Sequence, residues 1–315
     1  MGNTFYFEWE VKLMEMIQKW MGDFFVSLAS TLSAIGEEMV LIAILGFVYW
    51  CYDKKFGKAI GLTIVIGTVI NPLIKNVVIR RRPYFDHSGI DCLRLPNKKA
   101  EMYDITGQGY SFPSAHTLNT TVIYGCMAVY KKTKFFIILA IVMPLLIGFS
   151  RIALGAHYPT DVMAAWVLGV MIVFGFSFLA KKVQHKWKMY AVVYAISLLG
   201  LFYCRTDDYF KGIGVMGGFF LADIIEEKFI NFKNTKNPLE CVIRILGGFI
   251  TFLAVLKLLE LPFSREYLKS GKMSALIITW IIYTVVVFVV LGPYTYLFRY
   301  TEKFTDRFSR KKVED

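Results

Sequence analysis

Long apolar runs recur along the whole chain, and they limit its fold before any motif is read. A helix that crosses the hydrocarbon core of a bilayer needs about 20 mostly apolar residues. Its backbone polar groups find no water there, so the only open-chain solution is helical. Runs of this kind lie near 37–52, 57–79, 114–131, 134–150, 158–180, 187–203, 212–226, 238–260 and 272–298, several of them shortened or interrupted by Gly or Pro. Of the 315 residues 56% are hydrophobic, and the mean hydropathy is +0.50, which sets the chain apart from ordinary soluble domains. The expected fold is all-α, a polytopic transmembrane helix bundle.

The formal net charge of +12 does not point to nucleic acid. Lys and Arg fall in short clusters between apolar runs and form no basic stripe interleaved with aromatics. Such clusters record topology. Lys54, Lys55 and Lys58, then Lys131, Lys132 and Lys134, then Lys181, Lys182, Lys186 and Lys188, and finally the tail from Arg299 to Lys312 alternate with loops poorer in Lys and Arg. The positive-inside rule assigns them to the cytoplasm. The 80–112 loop and the 150–157 turn then share the opposite, non-cytoplasmic face. Cys51, Cys92, Cys126, Cys204 and Cys241 show no metal-ligand spacing, and free thiols are expected, although Cys92 and Cys204 would share the outer side. Phe5 to Met21 mixes apolar and charged residues at helical spacing, which suits a helix in the membrane interface or one that packs on the bundle.

Three polar clusters interrupt this pattern. In KNVVIRRRPYF, Lys75 and Arg82 stand seven apart, so a helix continuing to Arg82 would project both from one face before Pro83 stops it. In FPSAHT, Ser114 occupies a natural N-cap position, and the helix amides behind it point at the volume that holds His116. In SRIALGAHYPTD, Asp161 follows His157 at the i,i+4 spacing that would hold one imidazole nitrogen and leave the other free to act. Taken singly these are a stop-transfer flank, an ordinary cap and a helix-end ion pair. The 114–150 hairpin, however, returns the second and third to one side. Together they supply two histidines, one aspartate and several cations, without the carboxylate cluster that holds Mg²⁺ or Zn²⁺. No cofactor is expected, and cations without a metal suit a phosphate-bearing substrate.

These residues resemble the type-2 phosphatidic acid phosphatase superfamily of lipid phosphatases. Its signature has a lysine, six residues and Arg-Pro, matched by Lys75, Arg82 and Pro83; then Pro-Ser-Gly-His, matched by Pro113 to His116; then Ser-Arg, five residues, His, three residues and Asp, matched by Ser150, Arg151, His157 and Asp161. The one departure is Ala115, where the family has glycine; a backbone needing positive φ would strain it. The resemblance implies a six-helix phosphatase-like core over 37–203, preceded by the amphipathic segment 1–36 and followed by additional C-terminal transmembrane helices over 204–298 and a basic cytoplasmic tail, 299–315. Those added helices are similar to a subgroup that includes sphingosine-phosphate and polyprenyl-diphosphate phosphatases.

Carried over, the family's roles make His157 the nucleophile that forms a phosphohistidine, Asp161 its orienting partner and His116 the general acid. Lys75, Arg82, Ser114, Ala115 and Arg151 would bind the phosphate. Arg80 and Arg81 fall outside the signature and are expected to face headgroups or solvent, with a second phosphate as the alternative. The implied activity is metal-independent hydrolysis of a lipid phosphate or lipid diphosphate, such as undecaprenyl diphosphate, phosphatidic acid or sphingosine phosphate, among membrane lipids. The alternatives are a lipid phosphotransferase using the same phosphohistidine and a non-catalytic lipid transporter or binding protein.

Overall fold

A computed structural model of the chain describes residues 2–183 and 185–302. The tail expected at 299–315 lies outside the described residues from 303 onward. The elements run α1 (Glu8–Trp20), α2 (Asp23–Ile35), α3 (Glu38–Phe47) with a π-helical turn Val48–Tyr52, α4 (Lys54–Val78), the single turns α5 (Pro83–Asp86) and α6 (Ile105–Gln108), α7 (Ala115–Lys131), α8 (Lys134–Ala153), α9 (Pro159–Lys182), α10 (Lys186–Leu198), α11 (Asp207–Ile225), α12 (Pro238–Glu260), the turn α13 (Arg265–Leu268) and α14 (Met273–Leu291). Five described helical stretches are long and apolar enough to span a bilayer: Lys54–Val78, Lys134–Ala153, Pro159–Leu179, Pro238–Glu260 and Met273–Glu302. Asp23–Ile35 with Val40–Tyr52, bent by 44°, would make a sixth. All nine expected runs fall on helices, but those on α7, α10 and α11 are not among these spans, α7 with 17 residues and α10 with 13 being too short. The first two turns of α7 carry the polar residues His116, Thr117, Asn119, Thr120 and Thr121.

Two compact units emerge. The first contains the chain up to Leu41 and Ile70–Leu179. Its helices close on small residues: a Cβ on Gly169 of α9 would stand 2.6 Å from the Thr121 side chain of α7, and one on Gly148 of α8 would stand 2.6 Å from Val162 of α9. Small residues of this kind let membrane helices approach closely. Two prolines sit inside long helices, Pro72 in α4 and Pro144 in α8. The Trp166 indole donates to the Pro144 carbonyl at 3.1 Å, and the Asn76 amide to that of Pro72 at 2.8 Å. On α1, Glu10 and Met14 are buried while Trp9, Met16 and Trp20 are exposed. Met14 joins Ile90, Ile152, Tyr158 and Val162 in a core beneath the site.

The second unit contains Ile42–Val69 and the chain from Ala180. Gly214 and Gly218 on α11 stand four apart, and added Cβ atoms there would meet the Trp280 and Thr284 carbonyls of α14 at 2.6 and 2.5 Å. Asp223 and Glu226 are buried, but Lys58 bridges them at 2.5 and 2.8 Å and Lys54 joins Glu226 at 2.9 Å. Tyr190 donates to Asp223 at 2.8 Å. The buried carboxylates are thus ion-paired with the two lysines, although Asp223 Oδ1 and Glu226 Oε2 make no hydrogen bond. All five cysteines are free.

Candidate active site

The first motif departs from expectation in its backbone. Helix α4 ends at Val78 rather than running on to Arg82, and Ile79 takes φ 46°, a region costly for a β-branched residue. Asn3 locks the change of direction, its N–H donating to the Ile79 carbonyl at 2.7 Å and its carbonyl accepting from Arg81 N–H at 2.9 Å. Arg82, held extended before Pro83 at ψ 153°, then returns toward the site along a path that no single helix face provides. Its Nε donates to the carbonyls of Gln108 and Gly109, both at 3.0 Å, and its Nη1 to that of Ala156 at 2.9 Å. Lys75 Nζ donates to the Tyr110 carbonyl at 2.8 Å.

The second motif is tied to both others. Asn71 of α4 donates to the Pro113 carbonyl at 3.1 Å, and Ser114 N–H donates to the Asp161 carbonyl at 3.1 Å. Ser114 occupies the N-cap position of α7, but its hydroxyl makes no cap; instead it accepts from Thr117 at 3.0 Å. The amides of the first turn therefore keep their capacity for an anion. Ala115 is not among the residues with positive φ, so its methyl replaces the family's glycine without backbone strain.

In the third motif His157 precedes α9 instead of lying within it, and Asp161 sits in the first turn. Asp161 Oδ2 accepts from Tyr158 N–H at 2.8 Å and lies 3.5 Å from His157 Nδ1, which is buried without a hydrogen-bond partner. The other nitrogen, Nε2, stands 3.2 Å from Arg82 Nη1. Gly155, at φ 75°, makes the preceding turn, where any Cβ would strike the Asp91 carbonyl. Arg151 is 1% exposed; its Nη1 donates to Ser33 Oγ of α2 at 2.6 Å, while its Nε and Nη2 are buried without a partner. Burial, reinforced by the cations Arg82, Arg151 and Lys75, holds the His157 imidazole well below its usual pKa. Its neutral, nucleophilic form is therefore favoured at neutral pH.

Lys75, Arg82, Ser114, Ala115, His116, Arg151, His157 and Asp161 all belong to the first unit, and Arg151, Arg82 and Lys75 lie close enough to act electrostatically on the His116 imidazole. Arg80 corrects the expectation that it faces headgroups or solvent. It is 1% exposed and pairs with Asp161 at 2.7 Å and Glu10 at 2.8 Å, its guanidinium lying 3.9 Å from the Tyr158 ring centre. Arg81, half-buried, pairs with Asp86. Glu10, Arg80 and Ser33 are the residues at this site that sequence reasoning missed. The available signal was the spacing of Glu10, Met14 and Gln18, which places all three on one face of α1; with polar residues at both ends, that face reads as solvated.

Residues 56–186 match the PAP2 superfamily, and residues 210–303 match the transmembrane extension of PAP2 superfamily phosphatases. Phosphatidylglycerophosphatase B of Bacillus subtilis is 28% identical over 183 residues, covering 54% of this chain and 81% of that protein. The undecaprenyl-diphosphatase of Sulfolobus acidocaldarius is 30% identical over 145 residues, covering 45% of this chain and 65% of that protein. A decaprenylphosphoryl-5-phosphoribose phosphatase of Mycobacterium tuberculosis is 30% identical over 168 residues, covering 52% of this chain and 86% of that protein. The chain belongs to the PAP2 superfamily and is an integral membrane phosphatase. Its C-terminal helices are the extension that some members carry.

Proposed function

We propose that this protein removes the terminal phosphate of a lipid monophosphate or diphosphate through a phosphohistidine on His157, without a metal. The observation that carries this reading is the division of labour around one ring. Nδ1 faces the Asp161 carboxylate at 3.5 Å, so Nε2 is the atom turned toward Arg82, with Arg151 offering two unpartnered donors nearby. The Nε2 lone pair forms the N–P bond while the P–O bond to the lipid breaks, and His116 protonates the departing oxygen. Water, relieved of its proton by His116, then attacks phosphorus; the N–P bond breaks and inorganic phosphate leaves. Lys75, Arg82, Arg151 and the first amides of α7 hold the equatorial oxygens as their charge grows. The names of the relatives, a phosphatidylglycerophosphatase, an undecaprenyl-diphosphatase and a decaprenylphosphoryl-5-phosphoribose phosphatase, support a phosphate on a lipid with a long apolar tail as the substrate class. The loop charges support a site that opens on the non-cytoplasmic face.

The test is phosphate release in detergent with EDTA present, from phosphatidic acid, phosphatidylglycerol phosphate, sphingosine phosphate, and farnesyl and undecaprenyl diphosphates, with wild type beside His157→Ala. Release that withstands EDTA and is lost in the variant, with an acid-labile phosphoryl adduct trapped on the wild type, is expected. Turnover that survives His157→Ala would overturn the mechanism.

A further inference from the structure

We propose that Glu10, delivered by the N-terminal helix α1, is a positioning residue that sets the net charge of the carboxylate group orienting His157. The proposal rests on His157 as the phosphoryl acceptor. Glu10 is fully buried, and its oxygens accept four hydrogen bonds: from Phe7 N–H at 2.9 Å, Thr160 N–H at 2.9 Å, Thr160 Oγ1 at 2.6 Å and Arg80 Nη2 at 2.8 Å. Arg80 carries the connection onward, its Nη1 donating to Asp161 Oδ1 at 2.7 Å and to Thr160 Oγ1 at 2.7 Å. Its Nε is fixed by the Phe5 carbonyl at 3.0 Å. One guanidinium thus bridges two buried carboxylates, one of which faces His157.

The consequence is a matter of charge. Asp161 and Arg80 alone form a neutral pair, whose field at His157 Nδ1 largely cancels. With Glu10 added, the group of three carries one net negative charge, and it does so in a dehydrated setting where charges act strongly. That charge is needed when Nε2 accepts the phosphoryl group, because the ring then becomes cationic. The other groups facing the ring oppose this: Arg82 from the segment after α4, Lys75 from α4, Arg151 from α8 and His116 from α7. Facing Glu10 itself are Arg80 and Thr160. Asp161 therefore acts on the imidazole with a charge that Glu10 keeps from being cancelled.

The experiment compares Glu10→Gln, Glu10→Asp and the double variant Glu10→Gln/Arg80→Met with wild type, measuring kcat, KM, the pH profile of kcat/KM and thermal stability, with His157→Ala alongside. Glu10→Gln keeps the shape and loses the charge. Its kcat should fall about 10- to 100-fold, the range found when an outer hydrogen-bond partner of a working histidine is removed, with KM little changed. Its acid limb should move to lower pH, since losing a negative charge disfavours the protonated ring. Glu10→Asp keeps the charge, and the double variant restores one net negative charge on Asp161, so both should retain an acid limb near that of wild type whatever their stability. A role confined to fastening α1 would lower stability in these variants without moving the limb in Glu10→Gln alone. An unmoved limb with wild-type kcat in Glu10→Gln, or an equal shift in Glu10→Asp, overturns the proposal. Should Glu10→Gln not fold, a limb displaced in the double variant does so instead. Turnover surviving in His157→Ala would instead sink the reading on which the proposal rests.

Discussion

Replacing Arg151 by lysine separates charge from geometry at the phosphate site. The arginine is 1% exposed, and its three donor nitrogens divide cleanly: Nη1 is spent on Ser33 Oγ at 2.6 Å, while Nε and Nη2 have no partner. Two unsatisfied buried donors on one edge of a guanidinium form the fork that grips two oxygens of a phosphoryl group. Lysine keeps the positive charge but concentrates its donors on one flexible, strongly hydrated nitrogen. It replaces at most one of the two contacts and surrenders the Ser33 tether if it does. A hydrogen bond to a charged group contributes roughly 1.5–3 kcal/mol, and each 1.4 kcal/mol is a tenfold change in rate. The variant should therefore lose about 10- to 150-fold in kcat/KM for phosphate release, with the melting temperature measured on the same preparation to establish that it is folded. A folded Arg151→Lys enzyme within about threefold of wild type would refute the reasoning, because point charge alone would then account for the residue.

Two further outcomes follow from the same geometry. The acid limb of kcat/KM, which reports the free enzyme, should lie below the ordinary histidine value of about 6.5, because burial and the neighbouring cations depress His157; a limb at or above that value contradicts the assignment. The depressed value also means that the unfolded chain binds this proton more readily than the folded one, so this contribution to stability is fully present above about pH 6.5 and is lost as pH falls from there through the lower folded value. Gly169→Val should lower the melting temperature, since even the first added carbon would lie 2.6 Å from Thr121, and overpacking of this kind costs about 1–3 kcal/mol; an unchanged transition would show that α7 and α9 are not closely packed at that point.

How far the sequence reaches depends on whether a feature is local. Helices are local, and each of the nine apolar runs falls on a described helix, although α2 (Asp23–Ile35) lay outside them. The three motifs were legible for a similar reason: each is a short run of polar residues at the end of an apolar one, where charge at membrane depth stands out. The backbone between Lys75 and Arg82 was not. Helical periodicity predicted a straight continuation, but the partner that ends the helix is Asn3, more than seventy residues away and without any mark of its own. Ser33 was hidden in the same way, as one of several small residues in α2 whose hydroxyl only becomes informative once Arg151 is seen against it. Glu10 and Arg80 were hidden by their own charge. Each reads singly as a solvated residue, and only their mutual contact makes burial affordable.

That contact also explains how so many cations can share a small volume with an aspartate and still bind an anion. Carboxylates placed directly on Lys75, Arg82 and Arg151 would hold them firmly and cancel them. Neutral dipoles are among the anchors of these three side chains: the Tyr110 carbonyl for Lys75, the Gln108, Gly109 and Ala156 carbonyls for Arg82, and the Ser33 hydroxyl for Arg151. Such partners fix direction without cancelling charge. Glu10 and Asp161 are paired with Arg80, and Asp161 lies on the Nδ1 side of His157. In the mechanism proposed above, the imidazole would stand between a cationic region that receives the phosphate and an anionic one that stabilises the ring as the N–P bond forms. Arg80 holds the two carboxylates together, and Glu10 keeps their sum negative. The Glu10→Gln enzyme should therefore still bind phosphate while losing the rate of its transfer.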